Sequence, residues 1–105
     1  MREFKSLADL KAATGQALGV SPWITVTQEL ITRYADVIDD HQWIHVDSER
    51  AARAPLGTTI AHGYLTLSLI PSMIRDLYSV AGVSARLNYG SNRVRFPAPV
   101  QRDAR

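Results

Sequence analysis

The sequence predicts an α+β domain, and three observations point there. Between Ile60 and Val80 apolar residues cover most of a helix's circumference, which is how a helix buried on all sides reads. Two other stretches have strand character: Trp23–Thr27 is β-branched and aromatic, and Ser84–Phe96 alternates polar with apolar. Finally, 105 residues make one domain, spanning 1–105, with a thin core, since a chain of this size buries only about two-thirds of the surface its unfolded form exposes. A long apolar helix in so small a domain must be wrapped by something.

Taken in order, Ser6-Leu7-Ala8-Asp9 reads as a capping box with Asp in place of Glu, followed by Leu10, Ala12 and Ala13, and Gly15 stops the first helix. Val20-Ser21-Pro22 breaks the chain ahead of the Trp23–Thr27 strand. Thr27 caps a second helix whose first turn carries Glu29 at the positive end of the dipole. Leu30, Ile31, Tyr34, Ala35 and Ile38 share one face of it, and Arg33, Asp36 and Asp39 lie off that face. From Asp40 to Asp47 the period is lost, so this segment is a loop or irregular turn launched from a helix end. Glu49–Ala54 makes a helical turn before Pro55, and Leu56–Thr59 connects to the long helix, which Pro71 kinks or splits. After Gly82, Ser84–Tyr89 and Asn92–Phe96, interrupted by Gly90-Ser91, form one bulged strand or a hairpin, closed by Pro97-Ala98-Pro99-Val100.

Bulk properties exclude several function classes. The formal charge is +2, and the basic residues, all Arg except Lys5 and Lys11, form no run, so nucleic acid is not implied. Without Cys there is neither a disulfide framework nor a thiolate metal site, which fits a reducing cytoplasm. The first residues lack a signal peptide's apolar core, and no apolar run approaches the ~18 residues of a membrane span, so a soluble protein is expected.

One stretch stands out chemically. Asp39 to Asp47, DDHQWIHVD, packs three carboxylates, two imidazoles and an indole into nine residues. A surface turn can be built from Gly, Asn and Ser, so this content points to acid–base chemistry. With Tyr34-Ala35, Ala51, Ile60-Ala61-His62-Gly63, Arg95-Phe96 and Pro99-Val100, it resembles the MaoC-like dehydratases, the (R)-specific enoyl-CoA hydratases. The resemblance covers about three-quarters of the chain, in several separated blocks in the right order. It implies a hot-dog fold, in which a curved antiparallel sheet wraps a long central helix, and a homodimer. It also implies an acyl-CoA thioester substrate, with coenzyme A as part of that substrate and no further cofactor. Three positions depart from the family's usual pattern: Asp39 stands where Gly is usual, Gln42 where Asn is, and Trp43 where Pro often is. Family members also continue with further strands after the Pro-Val block, whereas this sequence runs only five residues past Val100. The sheet is then incomplete or finished by a partner chain.

By resemblance, Asp40 and His45 are the catalytic dyad that holds the nucleophilic water, and Gln42 orients that water or braces the dyad. Both residue types suit the task, because His titrates near neutrality and an amide both donates and accepts. Gly63, near the start of the apolar helix, lets a thioester carbonyl approach backbone N–H groups that lack partners; its structural alternative is close packing against a strand. His62 reads as a core histidine or one hydrogen-bonded to the loop, Trp43 as a wall of the acyl pocket or core, and Arg93 and Arg95 as a solvated strand face. Two metal patterns compete: His45 and Asp47 with His62, and His41 with His45. The first would put its third ligand on an apolar helix and the second lies in a segment without helical period, so no metal is expected. A non-catalytic acyl-thioester-binding or dimerisation module, and an acyl-CoA thioesterase, are the remaining alternatives.

Overall fold

The computed structural model describes residues 1–105. In chain order its elements are β1 (Arg2–Phe4), α1 (Leu7–Ala12), α2 (Gln28–Ile38), α3 (Trp43–Val46), α4 (Ser48–Ala52), α5 (Gly63–Ser68), α6 (Ile70–Ile74) and β2 (Tyr78–Val80). They fall into two compact units, one of Met1–Pro22 with Ile70–Val94 and the other of Trp23–Leu69 with Arg95–Arg105.

In the first unit β1 and β2 pair in parallel, with Arg2, Glu3 and Phe4 opposite Tyr78, Ser79 and Val80. Phe4 is buried, and its ring meets the edge of Tyr78 at 6.3 Å. Ser6 caps α1 as its sequence predicts, its hydroxyl accepting from the Asp9 N–H at 3.1 Å.

The second unit is built around α2. Thr27 caps it through the Leu30 N–H at 3.1 Å, and the predicted apolar face buries Ile31 and Ala35 completely. Val26, Ala61 and Leu65 complete the core with Ile31, and Leu30, Tyr34, Leu69 and Val100 pack against it. The segment from Val100 onward stitches this unit together. Ile60 and Gln101 form an antiparallel bridge, the N–H groups of Ala61 and Arg102 bond to Val100 and Thr59 carbonyls, and Val26 exchanges bonds with Asp103 and Ala104. Asp39 ends α2 in the left-handed region at φ +53°, which turns the chain sharply into the chemistry-rich stretch.

Three expected elements take another form. The helical region expected over Ile60–Val80 is divided: α5 stops at Ser68, α6 starts at Ile70, and β2 takes its end. Pro71 lies in the first turn of α6, where its missing N–H has no helical acceptor to lose, so the break falls just ahead of it. Coverage is also thinner than the pattern predicts, since Tyr64 and Ile70 are exposed. Trp23–Thr27 is extended without being a strand, and Ser84–Phe96 makes no ladder, with Leu87 and Tyr89 in solvent. Alternation prepares a face for burial, but a strand exists only where a neighbouring backbone supplies the ladder.

Candidate active site

The second unit brings Asp40, His45 and His62 to one place, from three different elements. Asp40 directly follows the left-handed turn at Asp39, its N–H bonded to the Ala35 carbonyl at 3.1 Å. His45 lies on α3, a single turn begun after Gln42, and is 6% exposed; His62 precedes α5 and is 4% exposed. A carboxylate oxygen of Asp40 and one ring nitrogen from each histidine all lie within 4.8 Å of one another.

Hydrogen bonding fixes the proton on each ring. The Nδ1 of His45 is 2.7 Å from the Ile60 carbonyl. A carbonyl only accepts, so Nδ1 carries a hydrogen, and in the neutral ring Nε2 is then the nitrogen with the lone pair that a general base requires. His62 donates from Nε2 to the Asp40 carbonyl at 2.9 Å, with the Asp40 carboxylate 3.9 Å away. Its Nδ1 is buried without a partner, and protonating it would bury an N–H with no acceptor. His62 therefore supports the loop through its bond to the Asp40 carbonyl, in line with its sequence reading. The two rings stack at 3.7 Å and 22°, and Tyr34 meets His62 edge-on at 5.2 Å.

Asp40 is only partly covered. Burial works to raise its pKa, but hydrogen bonds from the Gln42 backbone and side chain, then the charges of His45 and His62, together hold it below the ordinary carboxylate value. The Gln42 N–H lies 3.3 Å from Asp40 Oδ1, which places Gln42 beside the carboxylate. The site thus sets a carboxylate held in its ionised form beside an imidazole whose Nδ1 is engaged with a backbone carbonyl.

Gly63 opens α5 directly after His62, which offers the first turn no side-chain hydrogen bond. A Cβ here would meet three Phe96 ring atoms at 2.6 to 2.8 Å, so glycine is required for packing against that ring whatever else the position does. Trp43 lines an apolar cavity of about 260 Å³ with Ile44, Ala54, Leu56 and Ile60, and Arg50 covers its ring at 4.2 Å.

Neither metal pattern read from the sequence assembles. Asp47 caps α4, accepting from the Arg50 N–H at 3.0 Å, and His41 is turned outward to Asp36 and Asp39. In the Asp40–His45–His62 group, which neither pattern named, the imidazoles are stacked nearly parallel and each donates one ring N–H to a backbone carbonyl. The sequence reading passed over Gln28 and Thr59, which lie behind His45. Neither belongs to a chemical motif, and Thr59 reads only as part of the connection to the long helix.

A family model described as a MaoC-like domain matches residues 9–105. The chain is 58% identical over 100 residues to 3-hydroxyacyl-thioester dehydratase Z of Mycobacterium tuberculosis, covering 95% of this chain and 66% of that protein. It is 50% identical over 102 residues to nodulation protein N of Rhizobium leguminosarum biovar viciae, covering 95% and 63%. The chain thus spans just under two-thirds of the length of these relatives. Among solved structures, an R-hydratase of Pseudomonas aeruginosa in its unliganded form matches with a TM-score of 0.62 at 26% identity, over 76% of this chain and 49% of that one. No helix is long and apolar enough to cross a membrane.

Proposed function

The chain belongs to the MaoC-like domain family and shares its hot-dog fold class, and on that premise we propose that it adds water to trans-2-enoyl-CoA, giving (R)-3-hydroxyacyl-CoA, or runs the reverse dehydration. The observation that carries this reading is that a carboxylate oxygen of Asp40, held below the ordinary carboxylate pKa, lies within 4.8 Å of a ring nitrogen of His45, whose Nδ1 is engaged with the Ile60 carbonyl. One water has two O–H donors, and two hydrogen bonds of about 2.8 Å from a single oxygen reach across a gap of this size. Asp40 and His45 each accept one of them, which aims the oxygen lone pair at the substrate's β-carbon.

In the hydration direction an O–H bond of this water breaks toward the dyad as the C–O bond forms at the β-carbon. The π electrons move onto the thioester oxygen as an enolate, and the proton held by the dyad is then delivered to the α-carbon, so atoms and charge balance. The developing oxyanion is assigned to the first turn of α5 at Gly63, whose N–H groups receive no cap from His62. Gln42 steadies Asp40 from the outer side. The apolar cavity beside Trp43 and Ile60 suits the acyl chain. Coenzyme A enters only as part of the substrate, and the working form is read as a homodimer. The (R) configuration rests on the family and on the name of the matched hydratase.

The test follows loss of enoyl absorbance with crotonyl-CoA for the parent, Asp40→Asn and His45→Gln. Each substitution keeps polarity while removing proton-transfer capacity, and each is expected to cost roughly 10²–10⁴ in kcat. Unchanged rates in both variants overturn the dyad. Release of free thiol without hydration would mark a thioesterase, and binding without turnover a non-catalytic module.

A further inference from the structure

We propose that Gln28 and Thr59 form a positioning relay that sets the aim of His45; the kinetic part of this proposal rests on the hydratase reading above. Gln28 is the first residue of α2, and its Nε2 lies 2.8 Å from the backbone carbonyl of His45. Because that carbonyl only accepts, the amide must present its nitrogen there, which settles the orientation of the whole group. The second N–H reaches Thr32 Oγ1 at 3.2 Å, and Oε1 accepts from the Thr59 hydroxyl. The amide has no spare donor, and Thr59, 1% exposed, has its buried hydroxyl satisfied.

The relay closes a ring around the histidine. Thr59 adjoins Ile60, whose carbonyl takes the proton of His45 Nδ1 and whose N–H bonds to the Ile44 carbonyl at 3.0 Å. The His45 main chain is therefore tied to Thr59 by Gln28, while its ring is tied to the residue next to Thr59. α3 has only four residues and is too short to be a stable helix alone, so its orientation must come from such outside contacts. Gln28 and Thr59 are not needed to cap α2, which Thr27 does, and neither belongs to the apolar core. Without the relay α3 keeps only its Ile60 contacts on this side, and the looser hold lets Nε2 shift relative to Asp40 even if the fold persists.

Gln28→Met and Thr59→Val keep size while removing the hydrogen bonds. Each is expected to lower kcat roughly 10- to 100-fold through misplacement of the reacting group, with KM within about two-fold because substrate binding is untouched. Thr59→Ser retains the hydroxyl and should retain the rate. The double variant should be no slower than the slower single, since both cut one relay. Gln28→Glu adds a pH signature: a protonated carboxyl can donate to the His45 carbonyl and accept from Thr59, whereas a carboxylate cannot donate. Its rate relative to the parent should therefore rise as pH falls. Nitrogen NMR of ¹⁵N-histidine-labelled chain reads the ring directly, with a Nδ1–H tautomer expected in the parent and averaging of the two nitrogens in Gln28→Met. Rates within about two-fold of the parent, multiplicative losses in the double variant, or unchanged His45 nitrogen signals in Gln28→Met overturn the relay. If the parent itself shows no hydration, the functional reading fails, and the ring signals alone decide the relay.

Discussion

On the outer side of the segment after α2, His41 donates to Asp36 at 2.7 Å and lies 3.4 Å from Asp39, with all three groups in contact with solvent. On the inner side, four residues later, His45 is buried and gives its proton to a backbone carbonyl. Directly bonded carboxylates favour the charged form of His41, whereas the carbonyl partner of His45 fixes which of its ring nitrogens donates. The Asp36 hydrogen bond, against an opposing effect of burial and with help from the charges of Asp36 and Asp39, raises the His41 pKa above its ordinary value. Proximity in sequence therefore says little about role here, because the partners on each side of the segment decide it.

The largest effect expected from breaking this contrast is kinetic. His45→Gln should lose roughly 10²–10⁴ in hydration rate, whereas His41→Gln should stay within about two-fold. Comparable losses in both would erase the distinction. Next comes the foundation of the inner side: Ile31 is completely buried in the core that carries α2, and Ile31→Ala should cost about 2–5 kcal/mol in urea unfolding. Gly63→Ala should cost about 1–3 kcal/mol by forcing the Phe96 ring aside, and Phe96→Leu in the same chain should recover part of the loss.

The smallest effects lie outside and show in pH. A raised His41 pKa stabilises the fold below the ordinary value of 6.5, and that contribution disappears as pH rises through the folded value. Asp36→Asn should flatten the dependence of the urea midpoint on pH in that window. Asp40 works in the opposite sense: its contribution is present above 3.8 and is lost as pH falls through its lowered folded value. Asp40→Asn should therefore reduce the acid sensitivity of the midpoint, and an unaltered profile would contradict the assigned hydrogen bonds.

What could be read from residues alone was local. The Ser6 and Thr27 caps, the stripe from Leu30 to Ala35 and the break at Pro71 depend on neighbours within a turn or two, and the structure has them, although Ile38 at the end of that stripe is exposed. The pairing of Asp40 with His45 is implied by the family resemblance and not by their spacing alone. The extended segments at 23–27 and 84–96 could not be resolved this way, because periodicity records which face can be covered and not whether another backbone lies alongside. The Gln28–Thr59 bond joins residues 31 positions apart, and the clash behind Gly63 involves Phe96. Such pairs leave no periodic trace, so they become visible only when the chain is folded.

Asp39 gives the departure from the family's usual glycine a physical meaning. Its backbone bends against the handedness that side-chain-bearing residues prefer, and aspartate is among the few that tolerate this. Glycine at this place would serve the turn and not the reaction, so aspartate shifts a modest conformational burden onto folding while the neighbouring carboxylate keeps its chemistry. Asp39→Gly should thus leave turnover intact and loosen only the grip on His41.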